Sequence, residues 1–389
     1  EGFKVLARPL RVEGVEGQRG LAGAADTGDD REPPPRDGEL HVLQVVGAGP
    51  LDVDRRFQNP HPRRRGLRGE GRTRCPVNKS EQNRLPTAPA VLHPEGMLRL
   101  TLALLLLPVL LLADKEEPRV LFLGDSITFG GGWVVNMESA IRAQKGMARA
   151  TVVNLGLSSE TASGLSEPGH AGGAFPRPDV HERLERAIRL FRPTLAFVCY
   201  GMNDGIYMPL DRVRFDAYRN GMLRLNQALV AARCRVVYVT PPLFSPDDRS
   251  KDPLNYDAVL DAYAAWLVER RADGWTVVDI RPRLREQVAA ARALDPKFVF
   301  ARDRIHPGDE GHRFMAKAAW EAAAPALKWN PLVPFAQGEK LALLRQEMSV
   351  LRDAWLRHVG HKRPGVPGGL PMDQAEQRAA QLLAEYLAK

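Results

Sequence analysis

The chain has 389 residues, of which 44% are hydrophobic and 26% charged, and its formal net charge is +8 at pH 7. This composition is ordinary for a globular protein, and the length allows two domains or one domain with extensions. The positive charge does not indicate nucleic-acid binding, because its densest cluster, Arg63–Arg65, lies in a Pro- and Gly-rich stretch without interleaved aromatic residues. Three cysteines cannot form a disulfide framework, and no Cys and His cluster has the spacing of a zinc site.

The N-terminal part of the chain differs in pattern from the rest. Residues 1–96 lack sustained periodicity, which predicts a disordered or mis-assigned N-terminal extension. Residues 97–113 then have the three parts of a secretory signal peptide, namely a positive charge, a Leu-rich run and a small residue before a charged stretch. A signal peptide acts at the start of a chain, so we expect the natural protein to begin at Met97 and to be secreted or periplasmic, without a stable membrane anchor. The alternative is that residues 1–96 are a genuine but disordered region.

From Arg119 onwards, short apolar runs alternate with stretches of helical periodicity. The runs show little polar alternation, which is typical of strands buried on both faces of a parallel sheet. The predicted strands are Val120–Leu123, Thr151–Leu155, Leu195–Tyr200, Val236–Thr240 and Thr276–Ile280. The predicted helices are Pro178–Phe191, Phe215–Ala232, Tyr256–Arg271 and a closing helix, Gly308–Ala326. This alternation predicts a three-layer, doubly wound α/β domain over residues 114–328.

Residues 329–389 form a separate C-terminal extension. Gly338–His358 and Met372–Leu387 are amphipathic and are joined by a Gly- and Pro-rich loop. We interpret them as a helical hairpin packed on the main domain, with a free dimerising arm as the alternative. The sequence does not indicate the oligomeric state.

Polar residues stand where the predicted strands end, and the carboxyl ends of parallel strands are where catalytic groups gather. Ser126 follows the first strand, and Asp303 and His306 precede the closing helix. Together they supply what acyl transfer needs: a nucleophile, a base and a carboxylate that orients the base. Each also has a purely structural interpretation, Ser126 as a helix N-cap and the other two as a capping loop.

The order and content of four motifs resemble the SGNH hydrolases, also called GDSL esterases and lipases, from about Val120 to Trp320. The motifs are Gly124-Asp125-Ser126, Asn154-Leu155-Gly156, Gly201-Met202-Asn203-Asp204 and Asp303-Arg304-Ile305-His306. The resemblance implies a flavodoxin-like sheet of about five strands and a serine esterase that forms an acyl-enzyme intermediate without a metal or cofactor. It assigns the oxyanion hole to the backbone amides of Ser126 and Gly156 and to the side-chain amide of Asn203.

Other polar residues near these motifs are weaker candidates for catalysis. His312 could act as the base but lies within the closing helix, and His170 and His181 are predicted to lack a paired acid at the same spacing. We interpret Asp125 and Asp204 as hydrogen-bonding supports of their loops. A carboxylate pair of the glycosidase kind would leave the serine and histidine without a purpose.

Aromatic residues in the loops after the strands are candidates for substrate contacts, and they are Phe175, Tyr207 and Trp133. Aromatic faces suit sugars and acyl chains alike. A secreted, compact domain without a long apolar lid favours O-deacetylation of a carbohydrate, an expectation that comes from the resemblance. The alternatives are a lipase or lysophospholipase, a thioesterase and, in another class, a non-catalytic carbohydrate-binding protein on the same scaffold. We expect the partner to be a small-molecule or glycan ester and not a nucleic acid.

Overall fold

The computed structural model describes residues 117–247, 250 and 252–389. The predicted N-terminal extension (1–96) and signal peptide (97–113) lie outside the described residues. Over the described ranges, no helix is long and apolar enough to cross a membrane. The same part of the chain contains no group of three or more His, Cys, Asp or Glu residues placed to hold a metal ion.

The core of the fold is a five-stranded parallel sheet with the order β2-β1-β3-β4-β5. Its strands are β1 (Arg119–Gly124), β2 (Thr151–Asn154), β3 (Leu195–Cys199), β4 (Arg235–Val239) and β5 (Thr276–Val278). Most of their residues are buried, as expected for a sheet covered on both faces. The predicted doubly wound sheet is confirmed, and the strand bounds differ from the predicted ones by at most two residues.

Helices cover the sheet on both faces, because right-handed crossovers from β1 to β2 and from β2 to β3 run in opposite directions. The helices of this domain are α1 (Ser126–Gly130), α2 (Gly132–Arg142), α3 (Leu184–Phe191), α4 (Arg212–Ala231), α5 (Tyr256–Glu269), α6 (Arg281–Leu294) and α7 (Asp309–Leu327). Helices α2 and α6 were not predicted from the sequence. All residues of α2 are buried, including the polar Asn136, Glu138 and Arg142, so its polar side chains do not mark a side that faces solvent. Few apolar residues of α6 are buried, so its apolar stripe is weak.

The C-terminal residues form a hairpin of α8 (Gly338–Val359) and α9 (Met372–Ala388). Helix α8 contacts β2, α2 and α3, and therefore lies along the β2 edge of the sheet. Its residues Met348, Leu351 and Trp355 join the main hydrophobic core. The predicted hairpin packed on the main domain is therefore confirmed, and the free arm is not observed.

The sheet order determines where a site can form. The chain leaves β1 in one direction to β2 and later returns to place β3 on its other side, which makes the β1/β3 boundary the point where the winding reverses. Gly124 at the end of β1 is paired with Cys199 at the end of β3. The residues that follow these two strands, Ser126 and Asn203, are therefore brought to the same crevice.

Candidate active site

Ser126 is the first residue of α1, at a sharp turn directly after β1. Asp125 caps this helix, because its Oδ1 accepts a hydrogen bond from the Ile127 N–H at 3.0 Å. The turn requires glycine at position 124, since a Cβ there would lie 2.6 Å from the Cys199 carbonyl oxygen. The tight turn leaves the Ser126 side chain only partly buried.

Ser126, His306 and Asp303 form a continuous chain of hydrogen bonds. Ser126 Oγ lies 2.7 Å from His306 Nε2, and His306 Nδ1 lies 2.5 Å from Asp303 Oδ2. The backbone N–H groups of Ile305 and His306 donate to Asp303 Oδ1 at 2.9 and 2.7 Å. Both carboxylate oxygens are engaged, so the carboxylate holds the imidazole in place. With Nδ1–H donated to Asp303, Nε2 is the acceptor for the Ser126 hydroxyl.

Asp303 and His306 shift each other's pKa in opposite directions. Partial burial opposes the charged form of each side chain, but their mutual hydrogen bond and attraction outweigh it. The pKa of Asp303 is lowered to about 2, and the pKa of His306 is raised above its ordinary value of 6.5. This pair therefore stabilises an imidazolium, the form that His306 takes after it has accepted a proton.

Asn203 lies in the loop after β3 and is held at both ends of its carboxamide. Its Oδ1 accepts from Arg177 Nη1 at 3.1 Å and from the Tyr207 hydroxyl at 2.9 Å. Its Nδ2 donates to the Glu160 carbonyl at 3.1 Å. One of the two N–H groups on Nδ2 remains for another acceptor.

Gly156 does not present the free amide that the family resemblance assigns to it. Its N–H donates to Asn154 Oδ1 at 2.8 Å. A Cβ at position 156 would lie 2.4 Å from the backbone nitrogen of Phe129 in α1. Gly156 is thus a close-packing glycine, and this geometry does not support its predicted role as an oxyanion donor.

Ser159 presents a backbone amide that the sequence analysis missed. Its φ is 66°, a left-handed conformation that residues other than glycine seldom adopt and that is often found at functional sites. The next residue, Glu160, is the one whose carbonyl binds Asn203. No hydrogen-bond partner for the Ser159 N–H is found in the described part of the chain. Ser159 is therefore a candidate oxyanion donor because of its backbone conformation. This conformation cannot be read from the residue type.

Two of the three predicted aromatic contacts lie in loops of the site region. The Tyr207 hydroxyl binds Asn203, and its ring packs 5.0 Å from the ring of Tyr256. Phe175 is half-buried in the loop that leads to Arg177, and its ring meets the His170 ring edge-to-face at 5.3 Å. Tyr207 is therefore the aromatic residue placed closest to the candidate oxyanion donor.

The prediction for Trp133 is wrong. Trp133 is fully buried in α2 and packs edge-to-face on Phe122 of β1, with ring centroids 5.2 Å apart. The sequence analysis placed it in a loop because it did not recognise α2, and this helix directs the side chain into the core.

Two other histidines have their own structural roles. His170 Nδ1 lies 3.2 Å from Glu167 Oε1, so the prediction that His170 has no acid at this spacing is wrong. His312 is partly buried in α7 against Gly132, and its desolvation lowers its pKa to about 4. The histidine that contacts the serine is His306.

Three buried acids lie around the serine and the asparagine. As predicted, Asp125 and Asp204 accept backbone hydrogen bonds, the second from the Ser163 N–H at 2.7 Å. Burial raises the pKa of Asp125 to about 7 and that of Asp204 to about 6. Glu160 is paired with the buried Arg183 at 2.6 Å. The raised pKa of Asp125 therefore reduces the negative charge next to Ser126 near neutral pH.

Residues 122–314 match the model of the GDSL-like lipase/acylhydrolase family. This range is about half of the chain and contains the serine, asparagine, aspartate and histidine described above. The match is to a family of lipases and acylhydrolases. The domain belongs to the GDSL-like lipase/acylhydrolase family, as its motifs predicted.

The chain is also similar to solved structures of other proteins. One is a gut microbial diltiazem-metabolizing enzyme, with 23% identity and a TM-score of 0.41 over 54% of this chain and 47% of that chain. Another is a catalytic mutant of an acetylxylan esterase from Geobacillus stearothermophilus, with 19% identity and a TM-score of 0.42 over 56% of this chain and 96% of that chain. A third is an acetyl xylan esterase, with 20% identity and a TM-score of 0.40 over 52% of this chain and 98% of that chain. The chain spans less than half the length of the first of these. A sequence search of curated proteins found no match.

Proposed function

We propose that this protein is a serine esterase in which Ser126 attacks the ester carbonyl and forms an acyl-enzyme. His306 takes the hydroxyl proton and delivers it to the leaving alcohol, while Asp303 stabilises the imidazolium. Water then attacks the acyl-enzyme with His306 again as the base. The observation that carries this proposal is the chain of short hydrogen bonds, 2.7 Å from Ser126 Oγ to His306 Nε2 and 2.5 Å from His306 Nδ1 to Asp303 Oδ2.

Three N–H groups are candidates to stabilise the negative charge on the carbonyl oxygen. They are the backbone amides of Ser126 and Ser159 and the side-chain amide of Asn203. As the first residue of α1, Ser126 has an N–H without a partner inside its own helix. A preorganised donor of this kind typically contributes about 3 kcal/mol of transition-state stabilisation.

For the substrate, we propose an acetyl ester of a carbohydrate. The side chains of Asp303 and His306 are 44% and 43% exposed. The site therefore has room for an ester whose alcohol part is bulky and hydrated. An acetyl group requires no long apolar channel. The Tyr207 side chain is the aromatic group beside Asn203, with its hydroxyl 2.9 Å from Asn203 Oδ1.

A lipase or lysophospholipase is the second candidate, and a specific surface favours it. Met208, Leu210 and Val213, which follow Tyr207, are 47%, 53% and 73% exposed. An apolar patch next to a site can bind an acyl chain. Thioester hydrolysis would use the same nucleophile and base.

Hydrolysis of p-nitrophenyl acetate, butyrate and octanoate, with acetate release from an acetylated xylo-oligosaccharide, tests both parts of the proposal. We expect the acetate ester to be the best of the three and the oligosaccharide to be deacetylated. Ser126→Ala should lower kcat by at least about 10⁴-fold, because it removes the nucleophile. Ser349→Ala on α8 is the matched control. A preference for octanoate would favour the lipase, and full activity of Ser126→Ala would contradict the serine mechanism.

A further inference from the structure

The orientation of the Asn203 side chain decides whether it can serve as an oxyanion donor. A carboxamide can rotate by half a turn and exchange its oxygen and nitrogen, and only one orientation presents N–H groups to a given place. The Tyr207 hydroxyl does not select between them, because it can donate or accept. A guanidinium has only donors, so Arg177 Nη1, 3.1 Å away, requires the amide oxygen on its side. Nδ2 is thereby turned toward the Glu160 carbonyl, at 3.1 Å.

Arg177 is itself held rigidly, although a charged side chain is rarely buried. Glu167 binds it with both oxygens, at 2.7 Å from Nε and 2.7 Å from Nη2. Its backbone N–H donates to Ser166 Oγ at 2.9 Å, and its guanidinium lies 5.5 Å from the centre of the Tyr207 ring. Glu167 is 30% exposed, and an ion pair of this kind adds little net stability, so its main effect is to fix the position of the Arg177 side chain.

We propose that Arg177 is a positioning residue for Asn203. It holds the carboxamide so that one N–H of Nδ2 faces the oxyanion, and its charge polarises the amide so that this N–H becomes a stronger donor. The inference rests on the proposed esterase function and adds a residue to the same site. The hydrogen bonds of the guanidinium go to Asn203 and Glu167, so its effect on the reaction passes through Asn203.

A double-mutant cycle in the full chain tests this role, with kcat and KM measured for p-nitrophenyl acetate. We expect Asn203→Ala to lower kcat by about 10²- to 10³-fold, the usual effect of losing one such donor. Arg177→Met should lower kcat by about tenfold or more with KM nearly unchanged, because only transition-state binding is lost. The double variant should be no slower than Asn203→Ala alone. Arg177→Lys should recover part of the rate, since an ammonium can donate to Oδ1 but cannot hold the carboxylate with two parallel bonds.

Two results would overturn the proposal. Independent, multiplicative losses in the double variant would mean that Arg177 does not act through Asn203. A loss confined to KM would mean that it binds substrate directly. Arg283→Met on α6, an exposed arginine paired with Glu286 and Glu321, is the control and should leave kcat unchanged.

A second variant keeps the proposal testable if Arg177→Met does not fold. Tyr207→Phe removes one hydroxyl from the same Oδ1, so it should lower kcat less than Arg177→Met does and have no effect in the Asn203→Ala background. An effect of Tyr207→Phe that persists in that background would count against positioning through Asn203. Activity that survives Ser126→Ala would instead refute the esterase mechanism itself, so the two failures are distinguishable.

Discussion

The hydrogen bond between Ser126 and His306 joins residues 180 positions apart, whereas the one between His306 and Asp303 joins residues only three apart. The second pair depends on a local turn, because the Ile305 and His306 N–H groups fold back onto Asp303 Oδ1. The first pair depends on the sheet, because the sheet places the end of β1, where Ser126 lies, next to the loop before α7 that contains His306. Asp303 and His306 are thus prearranged by a short segment, and the fold brings them to Ser126.

Asp303→Asn tests this local arrangement. The amide lacks the negative charge that raises the His306 pKa, and it can present the wrong group to Nδ1. We expect kcat to fall by roughly 10³- to 10⁴-fold. In the wild type, kcat/KM should fall as pH drops through the raised His306 pKa, which lies above 6.5. In the variant the midpoint of this fall should move to lower pH.

The pH profile of kcat/KM measures this shift, with Asp309→Asn as the control. Asp309 is three residues beyond His306 and highly exposed at the start of α7, so its amide should leave both rate and midpoint unchanged. A midpoint in Asp303→Asn that stays in place would contradict the role of the carboxylate.

The candidate catalytic side chains could be proposed from the sequence, but the groups that support them could not. Asp303 and His306 have a spacing that brings them together in a single turn, and this spacing is visible in the sequence. Ser159 is a candidate oxyanion donor because of its backbone conformation, with a φ of 66°. Arg177 is a candidate positioning residue because it contacts Asn203, which follows 26 residues later in the chain. Both residues lie in loops without periodicity. Neither a backbone angle nor a contact between two loops leaves a pattern in one sequence.

At the scale of elements, burial explains which were predicted. The strands were recognised because burial on both faces gives short, continuous apolar runs that end at polar residues. Helix α2 was not recognised, although Asn136, Ser139 and Arg142 recur at helical spacing. All of its residues are buried, so these polar side chains do not mark a side that faces solvent. Trp133 was misplaced for the same reason. Burial on both faces therefore reveals a strand in the sequence, but burial on every side does not reveal a helix.

Helix α1, which carries the proposed nucleophile, has only five residues and is supported by α8. Arg352 Nη1 donates to the Phe129 carbonyl at 2.8 Å, and its guanidinium lies 4.2 Å from the centre of the Phe129 ring. Met348 packs on Gly131, where a Cβ would lie 2.2 Å from the Met348 Cε. The C-terminal hairpin therefore contacts the end of the helix whose first residue is Ser126.

Arg352→Met should remove this support from α1. Losing one hydrogen bond of this kind costs about 1 kcal/mol, or about 2–4 °C in Tm for a domain of this size. We also expect kcat to fall a few fold, because the turn that carries Ser126 becomes less well fixed. Thermal unfolding and ester hydrolysis measure the two effects.

The control for this variant is Arg345→Met, also on α8, whose partly exposed side chain pairs with the exposed Asp309. An exposed ion pair contributes little, so both Tm and kcat should stay close to wild type. If Arg352→Met behaved like this control, α8 would be only a cover for the sheet edge.

At the scale of the whole molecule, the hairpin is joined to the α/β domain by an unbalanced buried charge cluster. Arg142 of α2 contacts Glu138 at 2.6 Å and Glu347 of α8 at 2.8 Å. Two carboxyl groups thus share one guanidinium. Burial raises the pKa of Glu347 to about 8, and the negative charge of Glu138 adds to this effect. Together they outweigh the attraction of Arg142. The junction between α2 and α8 is therefore most stable when either Glu138 or Glu347 is protonated.

This cluster should make the stability of the protein depend on pH. The folded chain binds a proton at Glu347 more tightly than the unfolded chain, in which the pKa returns to its ordinary 4.5. Stability is therefore fully present below about pH 4.5 and is lost as pH rises through about 8. Glu347→Gln cannot ionise, yet its amide oxygen still accepts from Arg142. We expect the variant to lose less stability over this window and to exceed wild type above pH 8.

Thermal unfolding at pH 5, 6.5, 8 and 9 measures the effect as a difference in slope between variant and wild type. Glu339→Gln is the matched control, because Glu339 is a highly exposed acid near the start of the same helix and pairs with Lys389. Its curve should parallel that of wild type. Because Glu347 bridges the two parts of the fold, a smaller slope in Glu347→Gln alone would locate the pH-sensitive contact at the junction of α2 and α8. Parallel curves for all three proteins would mean that the cluster remains in the same charge state across this range, and that the hairpin is held by its apolar contacts.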